Sequence, residues 1–365
     1  MSSLTVALAI LGGLVLAGLV AYNTWMSRRN APRQPDAPDV DAPAVAAPDS
    51  SAEEGPVLHV EPHPTPGNAR HEPLFDPDLP APSALPMQSA ERRGGLDPLI
   101  DVIAPVSPDG LVSGDAALAA MPATRRAGSK PVAVEGLNEH TGEWEQPAPG
   151  QRYGAFQIGV QLANRTGALN EIEYSEFVVK AQAFADAING APEFPEMLDE
   201  VARARELDQF ASAHDAQLGF VLRARHAAWS PGYVQQNAAR LGFVQGIIPG
   251  RMMLPTGEPG MPPIIGLSFD TQAALADDPA QSAIREITLS LDVPQVDRNE
   301  RPFERMRESA ATLAREMDGV VTDGDGQLLR DETMDVIGGD LEQLYDTLDL
   351  RDLPAGSPLA RRLFS

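Results

Sequence analysis

The sequence predicts an α+β protein: an N-terminal transmembrane helix, a disordered linker, then tandem α/β units, each a mainly antiparallel sheet covered by helices on one face. Three observations predict it. Leu4 to Trp25 is an apolar run without a charge, the next stretch is dense in Pro, Ala, Asp and Glu, and one pattern of apolar residues occurs twice in the remainder. The segments read as 1–27 for a membrane anchor, 28–95 for the linker, 96–213 for a first α/β copy, 214–353 for a second and 354–365 for a tail.

At about 1.5 Å per residue, the apolar run matches a hydrocarbon core of about 30 Å. A cleavable signal would place positive charge before the run, whereas Arg28, Arg29 and Arg33 follow it. Short Arg-rich flanks stay in the cytoplasm, and Tyr22 and Trp25 fall where aromatic rings mark the interface, so the chain is expected N-out and C-in. The absence of cysteine agrees with a reducing compartment. Gly13, Ala17 and Ala21 share one face of this helix, a spacing that permits weak self-association in lipid.

The linker, as in "APRQPDAPDVDAPAVAAPDSSAEEGP", has too few large apolar groups to offset ordering entropy. As a tether it would reach from roughly 50 Å as a coil to about 200 Å if extended. His59, His63 and His71 lie in it without ordered backbone to set metal geometry. A formal net charge of -24 disfavours nucleic acid, whose phosphates require Lys and Arg. Only the basic cluster after the apolar run suits anionic lipid.

The folded region opens near "LDPLIDVIAPV". In "FQIGVQLANRTGALNEIEYSEFVVKAQAFADAING", Ile158, Val160 and Leu162 alternate as in a strand; Tyr174, Phe177, Ala181, Phe184 and Ile188 then form a helical stripe ending at Gly190. In "EITLSLDVPQVDRNERPFERMRESAATLAREMDG" the layout returns at one constant offset and without a gap: Ile287, Leu289 and Leu291, then Phe303, Met306, Ala310, Leu313 and Met317, then Gly319. Two copies of one unit account for this.

Each copy opens with an apolar strand, "PLIDVIAPV" and "QLGFVLRAR". A short helix follows, "SGDAALAAM" and "SPGYVQQNAARLG", the latter with Ser230 and Pro231 as an N-cap and N1 pair. The next strands are "KPVAVEGL" in the first copy and "GIIPGRMML", "PPIIGLSFD" and "ITLSLDV" in the second. A last helix closes each copy: "PEMLDEVARARELDQFASA", then the stripe Met334, Ile337, Leu341, Leu344 and Leu348. Helices on one side leave the other sheet face open.

The residue types that carry catalysis are not arranged for it. There is no Cys nucleophile, Gly-rich phosphate loop or GxSxG elbow, and His140, His214 and His226 have no catalytic partner nearby in sequence. "DGDGQLLRDE" starts like a calcium loop at Asp323 and Asp325, but Leu328 replaces the required Gly and Met334 the bidentate Glu, so it reads as a tight turn. No enzyme, cofactor or metal is expected.

From Asp215 to Leu348 the chain resembles the FtsZ-binding C-terminal domain of the ZipA family of bacterial cell-division proteins, most clearly in "ITLSLDVP" and "PFERMRESAATLAREMDGVVTDGDG". A single N-out helix, basic residues and a Pro-rich linker, in that order, are also similar to that family. The resemblance implies a non-enzymatic inner-membrane protein whose open sheet face binds the C-terminal peptide of FtsZ, the tubulin-like GTPase, and ties the division ring to the membrane. The alternative is an anchored scaffold for another division or envelope protein.

Strand alternation sends Thr288 and Ser290 outward from Ile287, Leu289 and Leu291, and Ile264, Gly266 and Ser268 outward from Ile265, Leu267 and Phe269. Carrying the family pattern to the other strands adds Ile248, Gly250 and Met252, and Val221 and Arg223. The implied peptide site is thus Val221, Arg223, Ile248, Met252, Ile264, Gly266, Ser268, Thr288 and Ser290: a small-residue floor with apolar shoulders. Ser290 and Asp270 stand where the family carries Phe and Met, which makes the trough less apolar. Arg223, Arg225 and Arg251 would offset the acidity of both partners.

Overall fold

The computed structural model describes residues 32–35, 95–276, 278 and 281–365. The expected membrane helix and most of the expected linker lie outside them. Among the described residues no helix is long and apolar enough to cross a membrane.

The first module contains β1 (Asp101–Pro108), α1 (Gly114–Ala120), β2 (Lys130–Asn138), β3 (Arg152–Gln161), α2 (Glu171–Ala187), β4 (Gly190–Pro192) and α3 (Met197–His214). Its sheet is seven-stranded, with β2, β3, β1 and β4 as neighbours in that order, all antiparallel. The second module repeats the plan with β5 (Gln217–Ala224), α4 (Pro231–Arg240), β6 (Val244–Gln245), β7 (Arg251–Leu254), β8 (Ile265–Ser268), β9 (Glu286–Asp292), α5 (Pro302–Glu316), β10 (Gly319–Thr322) and α6 (Asp331–Leu350). Its six-stranded sheet runs β6-β7-β8-β9-β5-β10, so β8, β9, β5 and β10 take the places of β2, β3, β1 and β4.

Local sequence accounts for the helices. Asn170 accepts from the N–H groups of Ile172 and Glu173, and Glu173 returns a bond to the Asn170 N–H, a capping box that starts α2. Ser230 caps α4 by accepting from Tyr233 N, with Pro231 in the first turn. The stripe Met306, Ala310, Leu313 and Met317 is buried against Ile287, Leu289 and Leu291, as Phe177, Ala181 and Phe184 are in the first module with Ile158 and Val160.

The stripes end differently from expectation. The left-handed residue after each helix is Asn189 (φ 51°) or Asp318 (φ 54°), not the glycine that follows. Gly190 and Gly319 instead begin β4 and β10, where a side chain would be tightly placed: a Cβ on Gly190 would lie 3.0 Å from Val106 Cγ1, and one on Gly319 3.2 Å from Arg223 O.

The tail is part of the folded unit. Helix α7 (Pro358–Leu363) is capped by Ser357, and Leu363 and Phe364 are fully buried. The tail bonds to both modules: Gln295 Nε2 donates to Phe364 O at 2.7 Å, and Gln161 Nε2 donates to Arg362 O at 2.9 Å. Arg362 also pairs with Asp101, whose carboxyl is pushed up by burial against the pull of that guanidinium. Beside it Arg165 bridges Asp215 (2.6 Å) and Asp292 (2.8 Å); the hydrogen bonds it donates, first to Asp215 and then to Asp292, hold its charge firmly.

Within the segment expected to be linker, Pro32–Pro35 lies against the second module. Arg33 forms a parallel bridge with Trp229: its N–H donates to Ala228 O at 2.7 Å, and Ser230 N donates to Arg33 O at 2.9 Å. Its guanidinium pairs with Asp318 at 2.9 Å, and Pro32 is buried.

Candidate peptide-binding face

Helix α5 packs on one side of the second sheet, with α4 and α6 packed against α5, and Phe220, Leu222, Leu267 and Leu289 are buried with Met306 of α5. Alternation puts the other residues of the same strands on the opposite face. Register makes that face a grid. One row across β6, β7, β8, β9 and β5 is Val244, Met253, Gly266, Ser290 and Gly219; the next, across β7, β8, β9, β5 and β10, is Arg251, Ser268, Thr288, Val221 and Thr322. Ser290, Gly219 and Arg251 are exposed, while Gly266, Ser268, Thr288, Val221 and Met253 are half-buried.

Small side chains make the middle of this grid low. A Cβ on Gly266 would lie 2.7 Å from Ser290 Oγ, whereas one on Gly219 would meet nothing within 4 Å. At one margin, Val244 and the hairpin tip Ile247 and Ile248 are exposed apolar residues. At the other, Arg223 lies 3.5 Å from Glu286 but its buried Nε makes no hydrogen bond, so that pair is a charge contact only.

Of the residues that the sequence singles out, Val221, Arg223, Gly266, Ser268, Thr288 and Ser290 lie on this face. Met252 does not. It pairs with Leu267 on the helix-covered side and is 4% exposed; its neighbours Arg251 and Met253 are the outward ones. The cause is the segment "GIIPG", which is a hairpin loop rather than strand. Gly246 N donates to Arg251 O at 2.9 Å, and Gly250 turns at φ 78°, where a Cβ would lie 2.8 Å from Phe269 O. The family pattern laid across this turn as if it were strand comes out one residue wrong.

Ile248 therefore stands on the loop tip, not on the sheet. Ile264 has outward parity but precedes β8, its N–H bonded to Leu254 O at 2.8 Å, and its side chain joins the core at 1% exposed. Sequence reasoning missed Gly219 and Met253, and named Arg251 only as a nearby charge. A glycine within the alternating run "QLGFVLRA" was the available signal for the first.

The "DGDGQ" stretch is a turn, with Asp323 Oδ1 accepting from Asp325 N and Gln327 N and with Gly326 at φ 84°.

No curated protein matches the chain. Residues 275–338, which take in β9, α5, β10 and the start of α6, match the family model described as ZipA, C-terminal FtsZ-binding domain.

Proposed function

We propose that the chain is a membrane tether of the bacterial division ring, recruiting FtsZ filaments by binding the FtsZ C-terminal peptide on the open face of its second sheet. The observation that carries this is a sheet face with a Gly266, Ser268, Ser290 and Gly219 floor, turned away from the helices, in a sheet whose strand β9, with Ser290, falls within the residues that match the FtsZ-binding family model. A low floor between the apolar Val244 and Met253 and the basic Arg251 and Arg223 suits an extended peptide that presents aliphatic side chains and carboxylates. A few anchors would supply most of its affinity. Modest affinity suffices, because many anchored chains meeting a filament of repeated tails gain by avidity if the leash spans the gap.

Anchoring rests on the apolar run ending at Trp25. The docked residues 32–35 support a leash with two lengths. While Arg33 holds Trp229 and Asp318, an anchor spanning 1–27 would leave only residues 28–31 between it and the module, about 13 Å if extended. Release of that contact frees the whole acidic linker.

Co-sedimentation of the full-length chain with FtsZ filaments tests the reading, comparing intact FtsZ with FtsZ lacking its C-terminal peptide. Binding that survives removal of the peptide rejects it.

A further inference from the structure

The first module also has a sheet face turned away from its helices, and that face is already occupied. Ile158 and Val160 of β3 face the core, so Gly159 between them faces outward, with Ala133 of β2 and Ile103 of β1 as its cross-strand neighbours. Leu96 sits directly on it: a Cβ on Gly159 would lie 2.5 Å from Leu96 Cδ2. The Leu96 N–H donates to Glu135 Oε1 at 3.0 Å, and Glu135 Oε2 accepts from Gln157 Nε2 at 2.7 Å. Glu135 is an outward residue of β2, yet it is 6% exposed. The same short segment is pinned on its other side, where Arg362 Nη1 donates to Gly95 O at 3.1 Å and Asp97 N donates to Asp101 Oδ2 at 2.9 Å.

We propose that the open face of the first module is a surface that accepts an extended chain segment and is filled in cis by residues 95–97, with Leu96 as the anchor. The protein consequently offers one vacant acceptor face, not two. An aliphatic side chain seated in a notch that only glycine leaves open, with its backbone N–H on a carboxylate and its chain held by a guanidinium, is how a bound peptide is gripped. The sheets share one strand order, and with Gly159 matched to Thr288 by the constant offset of the repeat, its cross-strand neighbours Ala133 and Ile103 correspond to Ser268 and Val221.

The correspondence bears on the second face, and this step rests on the proposed FtsZ reading. An incoming peptide's aliphatic anchor belongs over Ser268, Thr288 and Val221, as Leu96 lies over their counterparts. Thr288 fills the depth that Gly159 leaves empty, so the second notch is shallower and holds its guest more weakly.

Amide hydrogen exchange on the full-length chain tests the occupied face without FtsZ. In the wild type the Leu96 amide should exchange at least about tenfold more slowly than an unstructured amide. Leu96→Gly removes the anchor and no residue of the buried core, so it should bring that amide to the unstructured rate with the circular dichroism spectrum unchanged. A synthetic peptide of residues 93–98 should then bind the Leu96→Gly chain and not the wild type. An unprotected Leu96 amide in the wild type, full protection retained in Leu96→Gly, or equal uptake of the peptide by both chains would overturn the proposal. None of these readouts involves FtsZ, so their failure is distinct from failure of the tether reading.

Discussion

Gly219→Trp separates binding from folding on the proposed face. Gly219 pairs with Ser290 on β9, its φ is not positive, and a Cβ there meets nothing within 4 Å. The indole therefore enters without strain and lies over the floor. A strand glycine replaced by a residue with higher strand preference gains about 0.5–1 kcal/mol, so the melting temperature should hold or rise. Loss of even one peptide anchor should weaken binding at least about tenfold, equivalent to about 1.4 kcal/mol. Fluorescence anisotropy with a labelled FtsZ C-terminal peptide, alongside a thermal melt, reads both quantities. Gly266→Ala is the useful contrast, because its Cβ would lie 2.7 Å from Ser290 Oγ and the hydroxyl must swing away. If Gly219→Trp stays folded and binds the peptide with unchanged Kd, this face is not the site.

Met252→Ala should cost about 2–5 kcal/mol in denaturant unfolding, since Met252 packs with Leu267 under the helices; a cost below about 0.5 kcal/mol would place it outward after all. Phe364→Ala should cost about 3–5 kcal/mol by the same measurement, because the ring is fully buried where the tail bonds to both modules. Asp318 has its carboxyl held below the ordinary value, first by the hydrogen bond from His226 and then by charges that include Arg33. A carboxyl depressed in the folded state stabilises above its unfolded pKa and loses that contribution as pH falls through the depressed value. Docking of residues 32–35 should thus weaken as pH falls below about 4, seen as loss of protection of the Arg33 amide relative to its intrinsic exchange rate at each pH. Asp318→Asn should loosen it at neutral pH, read as faster tryptic cleavage after Arg33.

The repeated unit was legible because each part of its signal is local. A two-residue period marks β3 and β9, a 3.6-residue period marks α2 and α5, and the constant offset between copies needs no gap. Outward positions within one uninterrupted strand, Thr288 and Ser290 in β9 or Gly266 and Ser268 in β8, could be counted for the same reason. Carrying the family pattern over failed at Met252, where "GIIPG" is apolar enough to read as strand while Pro249 and the left-handed Gly250 make it a turn. Counting failed at Ile264 because parity has no meaning before the first strand residue.

The sequence by itself determined the membrane-length apolar run, the acidic linker composition, the recurrence of one apolar pattern at a constant offset and the alternation that assigns most side chains to one face or the other. Only the tertiary structure decided which faces are vacant. Leu96 on Gly159, Arg33 on Trp229 and Asp318, and Phe364 beside Gln295 all join residues far apart in the chain. Such contacts depend on the shape left after strands and helices have packed, and no periodicity in the chain encodes them.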